Sequence, residues 1–497
     1  MRIAAVDQGT TSTRVLVIDT NGNHELCHAV EHKQYYPHPE WVVHDAEELL
    51  SNIKASLQAA GKIDAIALAN QGESCVAWDA RSGRALSPVL VWQDNRTQDH
   101  IEKLKSEGHE TTTLERAGLP LESYFSASKF AWMLEHLPEV QKARKQGVLR
   151  LGTTDAFFLD RLAGRFVTDI TTASRTSLMN LESGCWDEKL GKLFAVPVDL
   201  LPEIVATTAE PDSNVLGSIE LAHGTVPVVA SIVDQQAALY GSGCRNTGDL
   251  KITFGTGAFA LAVTGKTAFR KPDQGLLPTV AWKKSHGQAM YALDGGIYTA
   301  SAAVNWARSL GLFDTIESIN SFKGPAMIDS GLVFVPALSG LACPYWDRNA
   351  RGAWFGLQLD TDKSSLVRAV IESIALRAAE VVSAMGECIE LPAAVRIDGG
   401  MSKNPYFVQF LADVLNREVH AAMLPEFTAS GAAILAAEAC AGDGGNEFSA
   451  AIDNLSGYNT CLPLTDRSHS LQCFQHAVSL CRQWPQGACG EGDNNGS

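Results

Sequence analysis

With 497 residues the chain is too long for a single hydrophobic core and suits two domains of roughly 200–250 residues each. Its 45% hydrophobic and 19% charged residues describe a folded globular protein and exclude an intrinsically disordered one. A formal net charge of −16 without an offsetting basic cluster argues against nucleic acid and anionic membrane as partners, and no apolar run reaches the length of a membrane span.

Eleven cysteines are scattered without a CxxC or a His-paired metal spacing, so reduced thiols in a cytoplasmic protein are expected. Arg2–Val6 is an apolar strand that begins at once, so a signal peptide is not expected. It runs into Asp7-Gln8-Gly9-Thr10-Thr11-Ser12-Thr13-Arg14. Val15–Ile18 returns as a second strand, and Asn21-Gly22 marks a hairpin turn. Prolines 37 and 39 predict an extended loop in which His38 and His44 are packing residues, and Asp45 caps a helix over Ala46–Ala60. Strands over Ile63–Ala69 and Val89–Trp92 end on Asn70-Gln71-Gly72-Glu73-Ser74 and Gln93-Asp94-Asn95-Arg96-Thr97. Carboxylates and amides at two strand ends predict a polar cleft along a sheet edge. Tyr124 and Phe125 open a helix through Leu134. A hydroxyl-rich stretch follows over Thr168–Arg175, and Trp186-Asp187 is expected in a loop.

The chemistry concentrates in residues 228–259. A buried strand over Val228–Val233 ends on Asp234-Gln235-Gln236, a carboxylate with two amide neighbours that suits a general base. Lys251–Phe254, then Gly255-Thr256-Gly257, then Ala258–Leu261 repeat the strand, Gly/Thr turn, strand device of residues 2–18. Two glycines and a hydroxyl in a tight turn let backbone N–H groups converge on an anion, although each piece alone is also compatible with an ordinary hairpin. Neither turn is a Walker loop, since no GxxxxGK[ST] occurs and strands follow. A boundary between domains is expected near Gly241–Gly248. Beyond it come a helix over Gly295–Leu310, strands over Val333–Leu338 and Gly352–Leu359, and a long helix over Ser364–Met385. Val395–Asp398 is a strand ending on Gly399-Gly400, with Asn404 and Pro405 as cap and first residue of an amphipathic helix. Glu426–Ala433 starts a helix of small residues, and Gly487–Ser497 is expected to be a disordered tail.

Six motifs in order, DQGTTSTR (7–14), YFSASKFAWML (124–134), DQQAALYG (234–241), FGTGAF (254–259), ACPYWDRNARGAWFGL (342–357) and DGGMSKN (398–404), resemble those of the FGGY carbohydrate kinases, and within that family the glycerol kinases most closely. The resemblance implies an α/β chain of two actin/Hsp70-like (ribonuclease H-like) domains with a cleft between them. These span 1–245, with the first phosphate hairpin and the polyol site, and 246–484, with the second hairpin and an adenosine loop, leaving 485–497 as a tail. It implies ATP and Mg²⁺ as cofactors, a small polyol or sugar as substrate, a dimeric or tetrameric homo-oligomer, and phosphorylation of glycerol to glycerol 3-phosphate.

Carried over residue by residue, Asp234 is the base and Asp7 holds Mg²⁺ through water. Thr10, Thr11, Ser12, Arg14, Gly255, Thr256 and Gly257 receive the phosphates of ATP. Gly400, Asn404, Ser301 and Asn305 line the adenosine pocket, the last two in place of the family's usual Gly and Gln. The substrate pocket is Gly72, Glu73, Trp92, Asp94, Tyr124, Asp234, Gln235 and Phe259. Carboxylates and amides serve hydroxyls there, and aromatic faces pack the carbon chain. Glycerol kinases carry an arginine where this chain has Gly72 and no acid at the position of Asp94. Both departures suit a longer substrate, so a four- or five-carbon polyol or ketose (erythritol, threitol, xylulose, ribulose) is the alternative acceptor. A non-enzymatic ATP-driven protein of the actin or Hsp70 kind is the alternative class, but it has no use for Asp234 together with Glu73, Trp92 and Tyr124.

Overall fold

The computed structural model of the protein describes residues 1–19, 21–423, 426–441 and 457–484; the tail expected over 485–497 lies outside them. Two large sheets organise these residues on one repeated plan. In the first, Arg2–Gln8, Ser12–Asp19 and His24–Glu31 form an antiparallel meander, and Ala65–Asn70 and then Gly224–Val233 add in parallel beyond Arg2–Gln8. In the second, Leu250–Phe254, Ala258–Gly265 and Met290–Ile297 form the meander, and Ala394–Gly399 and Glu418–Ala422 add in parallel beyond Leu250–Phe254. This repeated five-strand plan is the actin/Hsp70-like, ribonuclease H-like fold. The strands are short apolar runs broken by Gly-rich turns; pairing is local in the two Gly/Thr hairpins and long-range for the parallel additions and for Ala258–Gly265 with Met290–Ile297.

Register decides what meets at the cleft. Asn70 pairs with Gln8 on one side and Val233 on the other. Residues 9–11, 71–73 and 234–235 therefore emerge side by side from three parallel strand ends. In the second sheet Phe254 pairs with Gly399, which brings the turn 255–257 beside Gly400.

Helices Asp234–Gly241 and Phe427–Ala441 lie between the sheets. Their core joins Ile3, Ala67 and Ile232 of the first sheet to Leu261, Val263 and Ala292 of the second. The two helices cross backbone to backbone: a Cβ at Gly241 would overlap the carbonyl oxygen of Phe427, and one at Gly431 that of Ala237. The run of alanines about Gly431 is what permits the approach.

Several expected elements differ in extent. The helix expected over Gly295–Leu310 starts only at Ser301, because Gly295 and Gly296 pair with Ala260 and Phe259 as the end of strand Met290–Ile297. The strand expected over Val89–Trp92 stops at Leu90, and the Trp92 backbone N–H donates to Ser74 Oγ instead of to a ladder partner. The strand expected over Gly352–Leu359 is confined to Ala353–Phe355. Trp186 belongs to a short strand, and Asp187, expected in a loop, caps helix Glu188–Leu193 while pairing with Arg116 at 2.6 Å.

Candidate functional site

The two Gly/Thr turns stand in matching places. In the first, Asp7 pairs with Arg14 and Gln8 with Thr13, leaving the four residues Gly9–Ser12 between, and Gly9 N–H donates to Ser12 O at 3.0 Å. In the second, Phe254 pairs with Ala258 across Gly255–Gly257. The carbonyls of Gly255 and Thr256 accept from the N–H groups of Ser301, Ala300 and Ala302, which lashes this turn to the start of helix Ser301–Ser309. A Cβ at Gly257 would lie 2.5 Å from Ile297 O, so only glycine fits.

A cavity of about 90 Å³ opens beside the first turn. Seven of the residues expected there line it together with Thr10: Gly72, Glu73, Trp92, Tyr124, Asp234, Gln235 and Phe259. Trp92 Nε1–H donates to Thr10 Oγ1 at 3.1 Å, and its ring meets Tyr124 edge to face at 5.6 Å, so the aromatic wall is tied to the phosphate turn. Glu73 sits in the left-handed region at φ 59°, where Ser126 Oγ–H donates to its carbonyl at 2.8 Å. That conformation costs a non-glycine residue about 1–3 kcal/mol and turns the carboxylate into the cavity wall. Lys129, fully buried, donates from Nζ to the carbonyls of Ser123 and Tyr124 at 2.5 and 2.8 Å and holds the loop that presents Tyr124.

A second cavity, of about 350 Å³, lies on the far side of Gln235, which lines both. Thr253, Asp398, Gly399, Gly400, Ser402, Lys403 and Thr428 line it. Its size and its glycine-floored wall suit a larger, flatter ligand than the first.

Electrostatics single out Asp234 and Asp7. Burial, then the charges of Asp7 and Glu73, pushes Asp234 up to about 7. Burial, then the charge of Glu426, pushes Asp7 up to about 7 against the opposing Arg14. Two buried carboxylates whose ionised forms are disfavoured, Asp234 in part by the charge of Asp7, fit a divalent cation, whose charge would offset both. A site that offers few protein oxygens suits Mg²⁺, an ion that keeps waters and takes substrate phosphate oxygens. Behind Asp234, buried Asp169 accepts from Thr171 Oγ1 at 2.5 Å, and Thr171 Oγ1 in turn accepts from Val233 N–H at 3.0 Å. This network fixes the strand end that carries Asp234.

The structure does not bring every expected residue to these cavities. Asp94 is fully buried away from the first: its oxygens accept from Val42 N–H at 2.7 Å and from Arg96 Nε and Nη2 at 2.8 and 2.7 Å. Arg96 is itself stacked on Trp41 and Trp132, so Asp94 anchors a loop instead of facing substrate. Asn404 caps helix Pro405–Leu415 through Oδ1 to Phe407 N–H and donates from Nδ2 to Ile319 O, which spends both ends of its amide behind the Gly-Gly loop. Asn305 is exposed on its helix and lines neither cavity. Ser301 Oγ lies 3.9 Å from the Cβ position of Gly400, beside the larger cavity. Thr11 and Ser12 stay on the first turn, while Arg14 pairs with Glu426 at 3.1 Å.

Two wall residues escape sequence reasoning. Arg175 Nε donates to Glu73 Oε1 at 2.5 Å and its Nη2 meets Asp294 Oδ2 at 3.1 Å, all three buried and all three lining the first cavity. The only local signal was one arginine ending a run of threonines and serines.

Comparison with known proteins places these features. The pattern of the FGGY family of carbohydrate kinases, N-terminal domain, matches residues 2–241, and that of the family's C-terminal domain matches residues 250–440. Glycerol kinase 1 of Pseudomonas aeruginosa is 39% identical over 448 residues, covering 87% of this chain and 89% of that protein. The glycerol kinase of Haloferax volcanii is 36% identical over 453 residues, covering 87% and 89%. Among solved structures, Plasmodium falciparum glycerol kinase with ADP superposes with a TM-score of 0.87 at 28% identity over 98% of each chain. Xylulose kinase from Lactobacillus acidophilus, at 22% identity and TM-score 0.83 over 97% of this chain and 96% of its own, is a likeness of fold alone.

Proposed function

The chain belongs to the FGGY family of carbohydrate kinases, and on that premise we propose that it transfers the γ-phosphoryl group of ATP to a terminal hydroxyl of glycerol, with Asp234 as general base. The observation that carries this reading is the place of Asp234, in the wall of a small cavity of carboxylates, an amide and aromatics, and next in sequence to Gln235, which also lines a larger cavity floored by glycines.

In this reading glycerol lies in the first cavity, its hydroxyls on Glu73 and Gln235 and its carbons against Trp92, Tyr124 and Phe259. ATP occupies the larger cavity, its adenosine over Gly399 and Gly400 and its phosphates between the turns 9–11 and 255–257. Backbone N–H groups and the hydroxyls of Thr10 and Thr256 suit the peripheral oxygens of the transferring group, where the charge of a loose transition state resides. As the acceptor oxygen bonds to phosphorus and the bond to the bridging oxygen breaks, its proton passes to Asp234. A base pushed up toward 7 is well matched to accept it near neutral pH. Asp7, through water, would hold Mg²⁺, which neutralises phosphate charge when bound. Arg14 would exchange Glu426 for phosphate oxygens.

No helix among the described residues is long and apolar enough to cross a membrane. The ten cysteines described are all free, which supports a reducing, cytoplasmic setting. We place the domain boundary near residue 245, between the last strand of the first sheet and the first of the second. ADP release with Mg-ATP and glycerol, set beside the Asp234→Ala protein, tests the reading. Glycerol-dependent turnover that vanishes with Asp234 supports it, and turnover indifferent to both glycerol and Asp234 overturns it.

A further inference from the structure

The far end of the first cavity holds a donor and an acceptor that the reaction described above leaves unused. Arg175 and Asp294 are 4% and 6% exposed, pair with each other at 3.1 Å, and both line the cavity. The guanidinium is held from its other side by Glu73, yet Nη1 of Arg175 and Oδ1 of Asp294 have no partner within the protein. A buried charged group with an unmet hydrogen-bonding atom is costly, and a neighbouring donor and acceptor are both satisfied by one hydroxyl, which accepts and donates at once.

Strand register locates this end. Phe259 pairs with Gly296 and Leu261 pairs with Asp294 across the same ladder, and Phe259, Leu261 and Asp294 all line the cavity. Stepping two residues along a strand moves about 7 Å, so Asp294 and Leu261 lie that much farther than Phe259 from the phosphate turn at 255–257. The residue opposite Phe259 is Gly296, and the Phe259 ring packs over it, 3.7 Å from its Cβ position. Gly72 adds no side chain to this wall, and a Cβ there would meet a methyl of Val233 at 3.4 Å. The cavity therefore runs past the place where a three-carbon chain is gripped by Glu73, Gln235 and Asp234, and it ends on an ion pair with one free donor and one free acceptor.

We propose that Arg175 and Asp294 form a second hydroxyl subsite, and that through it the enzyme phosphorylates four-carbon polyols as well as glycerol. The inference rests on the kinase reading of the same site. A terminal hydroxyl oxygen of the tetritol bonds to the γ-phosphorus as the bond from that phosphorus to the bridging oxygen breaks. The proton passes to Asp234, ADP leaves, and the hydroxymethyl group at the other end of the chain is held by Arg175 and Asp294.

The test is kcat/KM for glycerol, erythritol, D-threitol and L-threitol on the wild type, Asp294→Asn and Asp294→Glu. At least one tetritol should be turned over by the wild type within about tenfold of glycerol. Asp294→Asn should lower tetritol kcat/KM about 10- to 100-fold more than glycerol kcat/KM, chiefly through KM. Asp294→Glu keeps the charge that holds Arg175 and adds one methylene at the end of the cavity. It should shift preference toward glycerol by about tenfold or more, and it carries the test should the asparagine variant not fold. Glycerol turnover without turnover of any tetritol sinks this inference and spares the kinase reading. Equal losses on both substrates in both variants reduce Arg175 and Asp294 to structural supports. No alcohol-dependent ADP release at all overturns the kinase reading and this inference with it.

Discussion

Replacing Asp234 by asparagine should trade activity for stability in a way that depends on pH. Burial and the charges of Asp7 and Glu73 raise this carboxyl from 3.8 to about 7. Because the folded-state value lies above the unfolded one, the folded protein binds the extra proton. Stability from this group is fully present below about 3.8, and it is lost as pH rises through about 7. A shift of about 3 units corresponds to roughly 4 kcal/mol at 1.36 kcal/mol per unit. Asp234 borders the first cavity, so water screens part of that penalty, and about 1–2 kcal/mol is the expectation. The amide keeps the shape and an oxygen to accept from Gln235 N–H, as Oδ1 does at 2.7 Å. Loss of a negative charge at the first turn of helix Asp234–Gly241 gives back roughly 0.3–1 kcal/mol. Melting curves in metal-free buffer with EDTA should therefore show the variant more stable than wild type by on the order of 1 kcal/mol at pH 8, and the gap should narrow as the pH is lowered and close only below about 3.8. Glycerol phosphorylation should fall about 10²–10⁴-fold, the usual contribution of a general base. Activity within tenfold of wild type, or a stability gap that does not change with pH, would refute the argument.

Three further changes probe other links. Asp94→Asn removes one charge of a buried pair with Arg96 and should cost about 3–5 kcal/mol in a denaturant melt while leaving the ratio of glycerol to tetritol kcat/KM unchanged. A change in that ratio would return Asp94 to the substrate. Gly257→Ala forces the second turn away from Ile297 O, so KM for ATP should rise at least tenfold and more than KM for glycerol. Gly431→Ala drives a methyl into the backbone of helix Asp234–Gly241 and should lower stability by more than about 3 kcal/mol, with poor soluble yield as the first sign.

How much of this was legible in the sequence follows from the range of the interactions. The two Gly/Thr hairpins, the strand ending on Asp234 and the Gly-Gly turn after Val395–Asp398 rest on hydrogen bonds between near neighbours, so alternation of apolar residues and turn chemistry were enough to find them. The helix caps at Asp45 and Asn404 were legible for the same reason. Sequence also grouped Glu73, Trp92, Tyr124 and Gln235 with Asp234 by family resemblance: Tyr124 and Gln235 stand in motifs whose order is that of the family, and Glu73 and Trp92 were carried over from its pattern.

Only the tertiary structure decided which polar groups face the cavity and which face each other. Asp94 looked like a substrate carboxylate because it sits beside Trp92, but Arg96 two residues on and Val42 from a distant loop consume its oxygens. Asn404 was a cap and a pocket residue on paper, and satisfying Phe407 N–H and Ile319 O leaves it only the first role. Arg175 and Asp294 lie 102 and 221 residues from Glu73, and no local pattern joins them. Burial does, because a charge withdrawn from water must find its partner wherever folding brings one near.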